Sequence, residues 1–273
     1  YPSDLCAFKP GTDFLVAGHA VGLRGRAAPH FDVIASCAGR TRRARAHGPR
    51  RWTMNAVGQM SVGPSEPGER IPMCWRLAFG GRDFSEPDTP RECKENPAGL
   101  GIARDPLLLL HQPAPQIEDP DHPVRSPNQG AKPIGFGPLG PSFEPRRSLA
   151  GTYDPAWLEH VYPAKPKDYV PAFENVAPRE FVFETPLRGR EVGGVQGMTA
   201  EETLSFQVPV ERPFVQWVID GKEDRHEPHL DTVLLDTDAK VLELTWRACI
   251  PCPAKMRKRF TQVDVSRKEI LTR

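Results

Sequence analysis

The 273-residue chain carries 36 lysines and arginines against 35 acidic residues, a net charge of +1. Its overall field therefore gives no reason to expect nucleic acid or an anionic membrane as partner. Hydrophobic residues make up only 38% and prolines number 31, so a modest core wrapped in many loops is expected, and no apolar stretch approaches bilayer length.

The first region, residues 1–84, reads as strands. Residues 14–17 follow a Pro10-Gly11-Thr12-Asp13 turn, and residues 31–34 follow a glycine- and proline-containing loop. Residues 40–47 alternate, placing Arg43, Arg45 and His47 on one face. Residues 71–79 predict a further strand, closed by Gly80 and Gly81. Residues 85–178 then form a proline-rich insertion with 18 of the 31 prolines, which predicts ordered coil rather than long helices or central strands. One short helix is expected near residues 154–162, with Asp154 as N-cap and Pro155 at the first helical position. From residue 179 to 273 strands return, and residues 230–235 and 241–248 flank an Asp-Thr-Asp-Ala turn. Leu242, Leu244 and Trp246 point one way there, and Glu243, Thr245 and Arg247 the other, as in an antiparallel strand with one wet face. The fold class expected is mainly β, an antiparallel sandwich-like domain. Residues 1–84 and 179–273 form it together, and the insertion carries one or two short helices.

The chemistry in the chain is sparse. The six cysteines, at positions 6, 37, 74, 93, 249 and 252, lack a framework spacing, and no signal-peptide pattern opens at Tyr1. Reduced thiols in a cytoplasmic protein are expected. His226-x2-His229 with Cys249-x2-Cys252 could close a zinc site, but the cysteines equally suit small buried hydrophobes; no metal or cofactor is expected. No Gly-x-Ser-x-Gly elbow is present, and Glu118, Asp119 and Asp121 read as solvated turn acids. The glycines at 80, 81, 99 and 101 fit turns at positive φ better than a phosphate cradle. The arginines at 40, 42, 43, 45, 50 and 51 lack interleaved aromatics for single-stranded bases, so a solvated face or an acidic protein partner is the expectation. No catalytic residues are assigned.

The segment 138–157 is the most pointed. It concentrates Arg146, Arg147, Tyr153, Asp154 and Trp157 between prolines at 138, 141, 145 and 155. Tryptophan, tyrosine and arginine dominate interface hot spots. The plainer reading has the aromatics pinning the loop to a sheet while an arginine pairs with Asp154, and a pinned loop also makes the better docking surface.

Tyr1-Pro-Ser-Asp-Leu5, Phe8-Lys-Pro-Gly-Thr-Asp13, Ala17-Gly-His-Ala20, Arg50-Arg-Trp52, Leu77-Ala-Phe-Gly-Gly81 and Asn96-Pro-Ala-Gly-Leu-Gly101 resemble successive motifs of one bacterial family. So do Ile134-Gly-Phe-Gly-Pro138, Arg146-Arg-Ser-Leu-Ala-Gly-Thr-Tyr-Asp154, Phe173-Glu-Asn-Val-Ala-Pro178 and Leu242-Glu-Leu-Thr-Trp-Arg247. That family is a domain of formerly unknown function, encoded beside type VI secretion spike-tip (PAAR) proteins, VgrG spikes and toxic effectors. The resemblance implies a non-catalytic cytoplasmic chaperone or adaptor that holds an effector and helps load it onto the spike. It also implies a segment ahead of the first motif, so a truncated start is expected. The expected partners are an effector, a PAAR protein or a VgrG spike, without nucleic acid or membrane insertion. Trp157, Tyr153, Asp154, Arg146 and Arg147 are placed at or beneath the contact surface, with Asn96 and Arg125 shaping the insertion. The alternative is a hydrolase acting on cell-wall sugar or peptide, with the proline-rich segment as its lid.

Overall fold

The computed structural model describes residues 8–219, 221–249 and 260–267. It is mainly β, with several sheets and two short helices. The strands of the three largest sheets are β1 (Thr12–Ala17), β2 (His30–Cys37), β3 (Arg40–His47), β4 (Ile117–Glu118), β5 (Val182–Phe183), β6 (Val192–Gln196) and β7 (Thr203–Gln207). They are followed by β8 (Pro213–Ile219), β9 (Lys222–His226), β10 (His229–Asp236), β11 (Val241–Arg247) and β12 (Phe260–Arg267).

Alternation writes the first sheet. In β2 Phe31, Val33, Ala35 and Cys37 are buried, and in β3 Arg42, Ala44 and Ala46 face the same way. Ala38 and Gly39 join these strands with both residues at positive φ, the backbone of a tight hairpin. The resulting order is β4-β3-β2-β6-β7. A second sheet runs β5-β1-β10-β11. Its β10–β11 hairpin turns at Thr237–Lys240 and is antiparallel as the pattern predicts, whereas β1 lies parallel to β10, with Asp13 opposite Thr232 and Ala17 opposite Asp236. The inner residues of both sheets, among them Phe14, Val16, Val33, Ala46, Val195 and Val233, fall in one apolar cluster. Each fully buried valine or phenylalanine among them stabilises the fold by about 1.5–3 kcal/mol. A third sheet, β9-β8-β12, carries the exposed charged strand β9.

A buried ion pair fastens the proline-rich stretch to the second sheet. Lys9 Nζ lies 2.9 Å from Asp13 Oδ2 and donates to Thr232 Oγ1 at 2.8 Å, all fully or nearly fully buried. Asp13 also accepts from Asn175 Nδ2 (3.0 Å) and the Val176 amide (2.7 Å). The paired charges thus meet hydrogen bonds on every side, as burial requires. Ile134, Phe136, Val176 and Ala177 join the main core, while Trp52, Phe79, Cys93, Ala114, Val124 and Ala131 form a smaller one.

One expectation is corrected. Residues 71–79 are not a continuous strand: Arg70–Pro72 pairs with His19–Val21, a 3-10 turn covers Trp75–Leu77, and Phe79–Gly80 pairs in parallel with Leu100–Gly101. Side chains take the carbonyls a ladder would use. Asn96 Nδ2 donates to Trp75 O at 2.8 Å and to Phe79 O at 2.9 Å, which satisfies these carbonyls without a neighbouring strand.

Candidate functional site

The site is built on residues 138–175, between α1 (Arg146–Leu149) and the 3-10 turn Pro171–Glu174, with α2 (Pro155–His160) at its outer end. Asp154 starts α2 by accepting from the Trp157 amide at 2.7 Å, and Pro155 occupies the first turn, where its missing N–H costs nothing. The helix is stopped as Val161 and Tyr162 both donate their amides to Trp157 O at 2.9 Å. The Glu144–Pro145 and Tyr162–Pro163 bonds are cis.

This capping brings three aromatics together. Trp157 stacks edge-on against Tyr153 at 4.7 Å and Tyr162 at 5.7 Å, and its indole N–H donates to Ala164 O at 2.9 Å. Tyr153 is 55% exposed, Tyr162 64% and the neighbouring Leu158 63%. The result is an apolar platform, already assembled, whose central indole has its polar atom satisfied from beneath.

The base of the platform is stiff. Gly151 sits at a φ of 81°, and a Cβ there would meet Pro166 Cβ at 2.9 Å and the Tyr169 amide nitrogen at 3.0 Å, so only glycine fits the turn. Thr152 donates its amide (3.0 Å) and hydroxyl (2.7 Å) to Asp168, bonds that hold this exposed carboxyl below its ordinary pKa. Tyr169 OH donates to Glu174 at 2.5 Å, Lys165 donates to the same carboxylate, and the Lys165 ammonium lies 3.7 Å from the centre of the Tyr169 ring. Burial disfavours the Glu174 charge, but these donors outweigh it and leave the pKa lowered.

The two arginines divide. Arg146 is buried, donating to Leu139 O at 2.5 Å and Phe173 O at 2.9 Å with its guanidinium 4.7 Å above the Phe173 ring. It clamps the two ends of the segment. Arg147 is exposed and pairs with Glu92 at 3.1 Å. Neither of these bonds runs to Asp154, whose carboxylate caps the helix.

Arg146, Arg147, Tyr153, Asp154 and Trp157 thus belong to one structural unit. Asn96 stands further back and fully buried: it holds Trp75, whose ring packs edge-on against Phe143 at 5.9 Å, at the head of the segment. Arg125 lies elsewhere, exposed in a loop where its amide meets Gln129 Oε1 and its carbonyl accepts from Val62. Sequence reasoning missed Leu158 and Tyr162, which the prolines at 155 and 163 bracket, and it missed the fastening pairs at Asp168 and Glu174.

Other candidate chemistry is placed as follows. His229 Nε2 lies 2.7 Å from Lys9 O, His226 ends β9, Cys249 is exposed, and Cys252 lies outside the described residues. Among the described residues no three His, Cys, Asp or Glu side chains come together as metal ligands. The arginine run is engaged internally: Arg40 with Val182 O, Arg42 with Glu180, Arg43 with Asp121, Arg45 with Asp32, Arg50 with Glu118, Arg51 with His111 O. Gly80, Gly81 and Gly101 all adopt positive φ, and a Cβ at Gly80 would lie 2.1 Å from Asn96 O. Among the described residues no helix is long and apolar enough to cross a membrane.

A family model described as an uncharacterized protein conserved in bacteria, DUF2169, matches residues 1–247. No curated protein and no solved structure matches.

Proposed function

The chain belongs to the bacterial DUF2169 family, and from that membership and its exposed aromatic platform we propose that it is a protein-binding adaptor. The observation that carries this reading is the Tyr153–Trp157–Tyr162 cluster, held rigid from beneath and left open above. Large aromatics contribute most to interface affinity when they are ordered before binding, because little side-chain entropy is then lost. Tyr153 and Trp157 contact the partner; Asp154, Arg146, Arg147 and Asn96 hold them in place.

The order of motifs along the chain supports a finer reading. The partner is a type VI secretion effector or its spike-tip PAAR or VgrG protein, held in the bacterial cytoplasm and released onto the spike. The test is co-expression with effector and spike proteins encoded beside the gene, followed by size exclusion. A complex that survives, with the effector insoluble or degraded when the adaptor is missing, supports the reading. Absence of any complex at concentrations well above micromolar sinks it.

A further inference from the structure

Away from the platform, a line of hydrogen bonds runs from a buried acid to a serine hydroxyl at the surface. Glu118 ends β4 and is buried; its Oε2 accepts from Arg50 Nη2 at 2.8 Å and from the Val124 amide at 3.0 Å. Its Oε1 lies 2.7 Å from His47 Nε2. His47 closes β3, where its backbone exchanges bonds with Gln116 (2.6 and 3.0 Å), and its Nδ1 lies 3.0 Å from Ser65 Oγ.

The polarity of this line is fixed by its buried end. An ionised carboxylate only accepts hydrogen bonds, so Nε2 carries the imidazole proton and Nδ1 is left with its lone pair. Ser65 therefore donates its hydroxyl proton to Nδ1. This is the arrangement of a nucleophile, a base and an orienting acid. Burial, with Arg50 and the His30 ring (5.8 Å away on β2) close by, outweighs the pull of Glu118 and lowers the His47 pKa, which keeps the ring neutral and able to accept.

Ser65 is also held in register. Its strap is tied by the Gly63 amide to Arg51 O, the Glu66 amide to Pro49 O (both 2.8 Å) and the Gly68 amide to Ala28 O (3.0 Å). The strap lies so close on Gly48 that a Cβ there would stand 1.9 Å from Glu66 O. Ser65 is partly exposed, so its hydroxyl can be reached from solvent; the nearby cleft of about 370 Å³ is lined by its neighbours Pro64 and Glu66 and not by Ser65 itself.

We propose that Ser65 is a nucleophile activated by His47 and Glu118, and that it takes the acyl group of a small carboxylic ester. Ser65 Oγ bonds to the ester carbonyl carbon, giving a tetrahedral adduct, as its proton passes to His47 Nδ1. The adduct collapses with cleavage of the acyl carbon–alkoxy oxygen bond, and the leaving alkoxide takes the proton from His47. Water repeats the sequence on the acyl-serine, releasing a carboxylic acid and restoring Ser65. This chemistry stands apart from the docking role, since its test involves no partner and the platform lies in a different segment.

The test uses the full chain with a fluorophosphonate probe, peptide mapping of the adduct, and p-nitrophenyl acetate. The expected result is one adduct per chain at Ser65, lost in Ser65→Ala and on unfolding in urea, and about a hundredfold slower in His47→Gln. The labelling rate of the unaltered protein is expected to fall as the pH drops and His47 takes a proton. A native-like His47→Gln that labels at full rate, a rate flat from pH 5 to 8, or modification anywhere but Ser65 would overturn the proposal. The pH profile decides the matter even if His47→Gln fails to fold.

Discussion

Glu118 shows how one buried charge organises its surroundings. Burial penalises its ionised form, yet the bonds from His47 and Arg50 prevail and bring the carboxyl down to about 2. A carboxyl depressed on folding adds stability above its unfolded pKa of 4.5 and loses it as the pH falls towards 2. His47, lowered from 6.5, acts in the same direction, because the unfolded chain takes up its proton first. Stability should therefore decline below about pH 6.5 and steeply between 4.5 and 2, with Glu118 accounting for on the order of 3 kcal/mol. Denaturant titrations of the unaltered chain and Glu118→Gln across that range check this; parallel curves would contradict it. Arg50→Met leaves Glu118 buried without its cation and should cost about 3–5 kcal/mol at neutral pH, read from the denaturation midpoint. Little of this was legible in the sequence. Glu118 resembles any acid in a proline-rich turn, and its partners at 47 and 50 come from the end of β3 and the turn after it, some seventy residues earlier. Arg146 and Arg147 teach the same lesson. Adjacent in an irregular segment, they have no periodicity to say which is buried.

At the scale of elements, local rules succeeded where the partner groups are near in sequence. Asp154 and Pro155 announce α2 correctly because cap and helix lie within four residues. The β10–β11 hairpin follows from alternation on either side of a short turn. The break within residues 71–79 was hidden, since the Asn96 amide that meets the carbonyls there comes from seventeen and more residues away. The turn at Gly151 carries a prediction of its own. Gly151→Ala forces a side chain into Pro166 and an unfavourable φ, and should destabilise by more than about 1 kcal/mol. Because this turn seats the Thr152–Asp168 bonds beneath the platform, the substitution should also weaken partner binding. Thermal melts with parallel binding titrations check both; unchanged values in each would show that the turn does not support the platform.

For the molecule as a whole, the sandwich was legible from which faces are apolar, while the assembly of its second sheet was not. The parallel pairing of β1 with β10 joins residues more than two hundred positions apart, and nothing in either strand's own pattern specifies that neighbour. The proline-rich stretch likewise reads as a loop in isolation, yet it supplies Ile134, Phe136 and Val176 to the main core. That anchorage gives the account its functional sense: a core-fastened segment carries an exposed aromatic face outward. The most direct measurement is calorimetric titration of the chain, and of Trp157→Ala and Tyr153→Ala, against whichever protein the co-expression experiment recovers in complex with it. The prediction is a loss of at least 2 kcal/mol per substitution, about thirtyfold in Kd, with melting temperatures close to that of the unaltered chain. Undiminished affinity in both variants would contradict the platform as the docking surface.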